Sequence, residues 1–163
     1  MPYYDIVQVH VGSFAKLGFD KAYKIEDVKN RTWHAKNALE IGNAARKPFV
    51  FFLDSYEVDL AAIKEVARGG GAFVIASSFF TATPSVPPYL LAQRIGMAQR
   101  FVKACLHNKA RVLVCSMAKE EHMCLSAHEL VLFGQALGIP QQVAKKSLEL
   151  AKVYFEQPNG EQA

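Results

Sequence analysis

Three observations predict an α/β fold with mostly parallel strands. Short apolar, β-branched runs alternate with helical stretches about five times along the chain, the pattern of parallel strands joined by crossover helices. The 163 residues are 51% apolar and 21% charged, which suits one domain with a real core. A complete eightfold barrel usually needs at least ~200 residues, more than this chain has. The first expectation is therefore an incomplete TIM-like barrel with helices outside, and the second a small doubly wound sheet. A single domain is expected over residues 1–156, with 157–163 as a flexible tail.

Each element has its own reason. Residues 5–11 (DIVQVHV) alternate and predict a strand. Residues 14–18 predict a helical turn ended by glycine, and 19–25 a second strand. Residues 27–45 predict a helix, with Asp27 as its cap and Trp33, Ala38 and Ile41 loosely periodic. Pro48 precedes an apolar strand over 49–53. A helix over 58–67 sets Leu60, Ile63 and Ala67 on one face, and Gly69, Gly70 and Gly71 end it. Residues 72–76 form the next strand, and 79–88, with three prolines, a loop. The longest helix spans 89–107, with Leu91, Ile95, Ala98, Val102 and Cys105 as its buried stripe.

The most informative stretch comes next. Residues 110–115 are a compact apolar strand, β-branched at Val112 and Val114, and 116–123 break into a polar loop. Ser126 and Glu129 form an S-x-x-E capping box before a helix whose Leu130, Phe133 and Leu137 share a face. Gly138 stops that helix and Pro140 opens the last one, over 141–155, with Ala144, Leu148, Ala151 and Phe155 inward. Ser116, Lys119 and His122 are thereby placed at the carboxyl end of a strand, where α/β folds usually carry their sites.

The net charge is +4 and the isoelectric point about 9.0. No Asp or Glu occurs from Val66 to Lys119, while that stretch holds Arg68, Arg94, Arg100, Lys103, Lys109, Arg111 and Lys119. Such a stretch suits a polyanion-binding face, or else a solvated surface met by carboxylates from elsewhere in the fold. Arg100, Lys103 and His107 recur at i, i+3, i+7 on the long helix, opposite its apolar stripe. For RNA such a ridge would contact phosphates and read shape rather than base edges. Three cysteines without a C-x-x-C pair suit free thiols in a reducing compartment. With no signal-peptide pattern in MPYYDIVQVH, a cytoplasmic location is expected.

Catalytic patterns are weak. The three glycines follow a helix and open a strand, the reverse of a phosphate-cradling loop. His10, Asp54 and His122 are the only metal-ligand candidates to hand. His10 stands alone in V-H-V, where metal-dependent phosphoesterases on similar barrels commonly begin with two histidines one residue apart. His122 and His128 lack the i, i+4 spacing of a helical pair. Ser116, Asp54 and His10 could be drawn as nucleophile, orienter and base, but no G-x-S-x-G elbow supports that.

From Asp59 onward the chain resembles the ribonuclease P protein component 3 family. The resemblance rests on Asp59, Ala67, Arg94, Ser116, Ala118, Leu130, Phe133-Gly134, Leu137-Gly138-Ile139, Ala144 and Leu148, and runs without a gap from Ala110 to Leu148. Before Asp59 only Tyr4-Asp5 and Lys16-Leu17-Gly18-Phe19 are similar. The family commonly carries an Arg-x-Pro-Arg-Asp-like run before the last barrel helix, where this chain has Leu125, Ser126, Ala127, His128 and Glu129. One or more βα units also look absent between Phe19 and Phe49, as in a shortened member. The resemblance implies a PHP-like barrel, related to metal-dependent hydrolases in fold, that serves as a non-catalytic protein subunit of an RNA-based endoribonuclease. The RNA, with magnesium, removes the 5′ leader of precursor tRNA. The protein itself is expected to hold no cofactor or metal and to have no catalytic residues. Its expected partners are ribonuclease P RNA, ribonuclease P protein component 2 and, indirectly, precursor tRNA. Arg94, Arg100, Lys103, Lys109, Arg111 and Lys119 are expected to meet RNA, and His10, Ser116 and His122 to line the strand-end mouth. Two other readings stay open: a metal-dependent phosphoesterase and a protein-interaction module.

Overall fold

The computed structural model describes residues 2–8, 14–81 and 86–156. All its strand pairs are parallel. Strands β1 (Tyr4–Val7) and β2 (Lys21–Lys24) form one sheet. Strands β3 (Thr32–Ala35), β4 (Val50–Leu53), β5 (Ala72–Ala76) and β6 (Arg111–Cys115) form the other, in that order. Helices α1 (Leu60–Arg68), α2 (Ser78–Thr81), α3 (Pro88–His107), α4 (Ala127–Ala136) and α5 (Gln141–Glu156) complete the mixed α/β architecture. No helix among the described residues is long and apolar enough to cross a membrane.

The two sheets meet at a seam between β1 and the chain just past β6. Met117 N–H donates to Ile6 O (2.9 Å) and Gln8 N–H to Ala118 O (3.0 Å). Lower on the same strand Val114 N–H donates to the hydroxyl of Ser147 on α5 (3.3 Å), which itself donates to Ala144 O (2.8 Å). A helix side chain thus partners an amide of β6 where no strand does. The β6 strand is buried from Val112 to Cys115, as its unbroken apolar run requires.

Alternation along the strands sorts the apolar residues into two layers. Phe51, Leu53, Phe73, Ile75, Val112 and Val114 face α1, α3, α4 and α5. Tyr4, Ile6, Tyr23, Val50, Phe52, Ala72, Val74, Leu113 and Cys115 share a second cluster with Met117, Ala151 and Tyr154. That second cluster takes side chains from both sheets.

The last turn of α5 covers the amino ends of the strands. Tyr154 Oη donates to Gly70 O (2.8 Å) and accepts from Arg111 Nη1 (3.2 Å), while its carbonyl accepts from Arg31 Nη1 (2.9 Å). Glu156 accepts from Lys21 Nζ (2.8 Å) and Tyr23 Oη (2.7 Å).

Several expected elements hold. The expected strand at 72–76 has its expected ends, and the expected helices over 58–67, 89–107, 127 onward and 141–155 shift by a residue or two. Asp59 caps α1, its side chain accepting from Ala62 N–H (2.7 Å). Ser126 and Glu129 form both halves of the capping box on α4.

Other expectations are corrected. The helix expected over 27–45 is instead a 3-10 segment (Ile25–Arg31), strand β3 and a second 3-10 segment (Ala38–Arg46) kinked at Gly42. Thr32 and Trp33 favour a strand, and the main chain of β4 offers it a parallel ladder. The loop expected over 79–88 contains α2 at its start. The inward aromatic of α5 is chiefly Tyr154, with Phe155 only half-buried. The first strand is described to Val7. Its expected extension over 9–11 and the tail over 157–163 lie outside the described residues.

Close approach explains Gly69 and Gly71, and a left-handed backbone (φ +73°) explains Gly70 between them. A Cβ on Gly69 would sit 2.6 Å from Ala45 O and 2.7 Å from Arg46 C, both backbone atoms, and one on Gly71 2.8 Å from the Phe51 ring. Gly69→Ala is expected to lower stability by about 2 kcal/mol or more, since backbone cannot give way as a side-chain tip can. Gly96, inside α3, meets only the Arg100 guanidinium at 3.9 Å. There alanine should raise stability by about 0.5–1 kcal/mol. Chemical denaturation of both variants checks the pair; equal effects would refute the packing account.

Candidate functional site

With the amino ends of the strands covered by α5, the carboxyl ends carry a cavity. It is lined by His34, Phe52, Leu53, Asp54, Tyr56, Val74, Ala76, Ser78, Phe79, Arg94, Met117 and Lys119, with a volume of about 330 Å³. Residues from β3, β4, β5, the start of α3 and the chain past β6 meet there.

The cavity opens where the β4–β5 ladder stops. Only Val50–Ala72 and Phe51–Phe73 are in register, and beyond them the buried Tyr56 hydroxyl takes the place of the ladder. It accepts from Ala76 N–H (3.2 Å) and donates to Val74 O (3.4 Å). Burial pushes that hydroxyl well above its ordinary pKa, so it stays a neutral donor. The Tyr56 ring meets Phe79 edge-on at 5.0 Å, and the Arg94 guanidinium lies 5.3 Å from the Phe79 centroid. Arg94 is thereby held half-buried with its charge at the cavity. Met117, on the wall, has φ of +47°, a left-handed conformation that costs a non-glycine residue about 1–2 kcal/mol. On the opposite side His34 Nε2 and Asp54 Oδ1 lie 2.7 Å apart, both largely exposed.

Beside the cavity, at the seam, is a buried polar pair. Asp5 is 1% exposed and Ser116 fully buried. Asp5 Oδ1 accepts from Ile6 N–H and Ser116 N–H, both at 2.8 Å, and Oδ2 accepts from the Ser116 hydroxyl. Burial raises the Asp5 pKa to about 6, against the three hydrogen bonds that lower it. Ser116 is thus a structural partner of Asp5, not an exposed nucleophile, and Asp54, sketched as its orienter, pairs with His34. His10 itself lies outside the described residues. His122 is exposed and sits 3.3 Å from Glu120, away from the lining of the cavity. Among the described residues no three His, Cys, Asp or Glu side chains could hold a metal ion together.

The six expected RNA-contacting cations do not form one face. Arg94 and Lys119 line the carboxyl-end cavity. Arg111, at the other end of β6, is bonded to Tyr154, with Lys109 in the preceding turn. Arg100 and Lys103 are exposed further along α3, Lys103 on a groove of about 520 Å³ between α3 and the end of α4. The helix runs back along the strands, so nine residues from Arg94 to Lys103 carry the charge ~14 Å down the fold. Of the seven cations in the acid-free stretch, Arg68 pairs with Glu65. No carboxylate lies within ion-pair distance of Arg94, Arg100, Lys103, Lys109 or Lys119 among the described residues.

His34 carries no motif, and the loose helical period over 27–45 hides the strand on which it stands. Tyr56 and Phe79 carried no motif. The β-branched and aromatic character of Thr32-Trp33 was the available signal for β3. The chain matches no protein-family model and no curated protein.

The Asp5 pair has a pH signature. Between the ordinary carboxylate pKa of 3.8 and the folded value of about 6, the native state binds more protons than the unfolded chain. Stability should therefore fall as pH rises through that window, by up to about 3 kcal/mol. Asp5→Asn keeps an oxygen for both amides and offers its NH2 to Ser116 Oγ. Its thermal midpoint should match or exceed wild type at pH 7 and lose that relative advantage towards pH 4. Asp5→Ala orphans buried donors and should cost about 2–4 kcal/mol at pH 4, and less at pH 7, where the wild-type carboxylate has itself lost stability. If Asp5→Asn were as damaging as Asp5→Ala at pH 7, the ionised carboxylate would be required and the assignment wrong.

Proposed function

We propose that this protein is an RNA-associated, non-catalytic subunit resembling ribonuclease P protein component 3, which supports RNA-catalysed removal of the 5′ leader from precursor tRNA. The observation that carries the reading is that six of the seven cations from one acid-free stretch are left without carboxylate partners among the described residues. A surface meant only for solubility commonly intersperses both signs of charge. Among the described residues the one carboxylate that meets this stretch is Glu65, a turn away from Arg68 on the same helix.

The seam lends further support. Tyr4-Asp5 and Ser116 with Ala118, far apart in the chain, are among the residues that carry the resemblance. They are joined there by Asp5–Ser116 and by the bonds of Ile6 and Gln8. The finer fold reading, an incomplete PHP-like barrel, is supported by strand order. β1 lies beside the end of β6 while β3 to β6 follow one another, an order that runs round a circle broken between β2 and β3. The shared inner cluster of both sheets agrees with it. Ribonuclease P RNA and protein component 2 are the proposed partners, magnesium acts with the RNA, and a cytoplasmic location goes with that role.

Reconstitution tests the proposal. RNA and companion proteins should cleave precursor tRNA faster, or at lower magnesium, with this chain than without it. No difference would reject the subunit role. For the surface, Arg100→Ala with Lys103→Ala should weaken RNA binding at low salt and make the slope of log affinity against log salt shallower, by about one unit per lost phosphate contact. Stability should change by under ~1 kcal/mol, because both groups are exposed. An unchanged slope in a folded double variant would show that the α3 ridge is solvated surface only.

A further inference from the structure

We infer that the carboxyl-end cavity receives a single unpaired ribonucleotide of an RNA strand, with its phosphate on Arg94 and Lys119, its ribose hydroxyl on Asp54 and its base against Phe52 and Phe79. The inference rests on the RNA-binding reading and names the unit recognised. Four features of the cavity carry it.

The first is size. About 330 Å³ lies near the lower end of the ~300–1,000 Å³ range of small-molecule sites, room for one nucleotide and not for a duplex. The second is charge. Arg94 and Lys119 both line the cavity and neither has a carboxylate partner among the described residues. Packing over Phe79 holds the Arg94 guanidinium in place, so its fork is offered to a phosphate at reduced entropic cost.

The third is the carboxylate. Asp54 would repel a bare polyanion and is out of place in a site for phosphate alone. It bonds His34 through Oδ1, and Oδ2 has no partner among the described residues. A ribose hydroxyl is the donor that an RNA strand brings beside each phosphate, and it is the group that distinguishes RNA from DNA. The fourth is the aromatic wall. Phe52, Tyr56 and Phe79 line the cavity, and unpaired bases are commonly held against such rings. Duplex RNA keeps its bases stacked and could not offer one.

The test uses the full chain and a single-stranded RNA hexamer followed by fluorescence anisotropy, with the 2′-deoxy hexamer and a blunt RNA duplex as comparisons. The ribo-hexamer should bind about fivefold more tightly than its deoxy counterpart, the equivalent of one hydrogen bond. The duplex should compete poorly for the hexamer. Arg94→Ala with Lys119→Ala should weaken hexamer binding about tenfold or more, and Asp54→Ala should abolish the preference for ribose. Circular dichroism melts establish folding. Should the Arg94 variant fail to fold, Lys119→Ala and Asp54→Ala, both at exposed positions, decide the matter alone. Equal binding of ribo- and deoxy-hexamers by wild type, or wild-type affinity in the folded cavity variants, would overturn the inference. Cleavage stimulated by the chain with a hexamer insensitive to these variants rejects this site and leaves the subunit role. The reverse pattern keeps the site and rejects that role.

Discussion

The buried carboxylate of Asp5 is the point on which the fold turns. Two parallel sheets, each hydrogen-bonded within itself, are bonded backbone to backbone, among the described residues, where β1 runs beside the chain leaving β6. Backbone pairing there is brief, two amides in all among the described residues. Asp5 adds bonds to the Ser116 amide and hydroxyl in the same place. A carboxylate buried without partners would cost several kcal/mol, so the register that satisfies it is strongly favoured over its neighbours. A slip of one residue would turn Asp5 towards the inner cluster, stranding its charge beside Leu113 and Cys115 and turning Ile6 out of it. Fixing that register also fixes Met117, whose amide bonds Ile6 and whose left-handed backbone turns its side chain to the cavity.

What the sequence discloses follows from how local each cause is. The strands at 72–76 and 111–115 are continuous apolar runs between turns, and their identity needs no partner to be seen. The caps at Asp59 and Ser126 are written in residues three apart. β3 is the opposite case. TWHA is four residues long, exposed at Trp33 and His34, and is a strand because β4 lies alongside. A loose helical period across its flanks outweighed two strand-forming residues. The same error hid His34, which stands beside Asp54 only through the parallel register of β3 with β4. Asp5 and Ser116 were each visible, but nothing local ties residues 111 positions apart.

The charges teach a related lesson. The absence of acids between Val66 and Lys119 is a fact of the sequence, and the lack of carboxylate partners for six of its seven cations among the described residues agrees with it. Their grouping into one face did not survive folding. A βαβ crossover sends its helix back along the strand, so cations along α3 and β6 are dealt out to both ends of the sheet. Arg111 is spent on Tyr154 at the closed end, whereas Arg94 and Lys119 meet at the open one. Sequence proximity suggested a patch; topology made a pair at the cavity and a separate ridge on α3.

That division gives the two ends of the fold different work. At the amino end, Tyr154 and Glu156 tie Gly70, Arg111, Arg31, Lys21 and Tyr23 together, and aromatic rings fill the space between. These bonds satisfy one another and leave little for a ligand. At the carboxyl end the ladder between β4 and β5 is replaced by one tyrosine hydroxyl, a residue is held with positive φ, and cations stand beside an open carboxylate. The positive φ at Met117 costs stability, and the seam beside it, through the Met117 amide on Ile6, is what sustains it. Exposed polar groups over an apolar wall, held by a satisfied scaffold below, are the arrangement expected of a recognition site. On the proposed reading, that site recognises an RNA strand one residue at a time, while the α3 ridge supplies salt-sensitive attraction to the backbone.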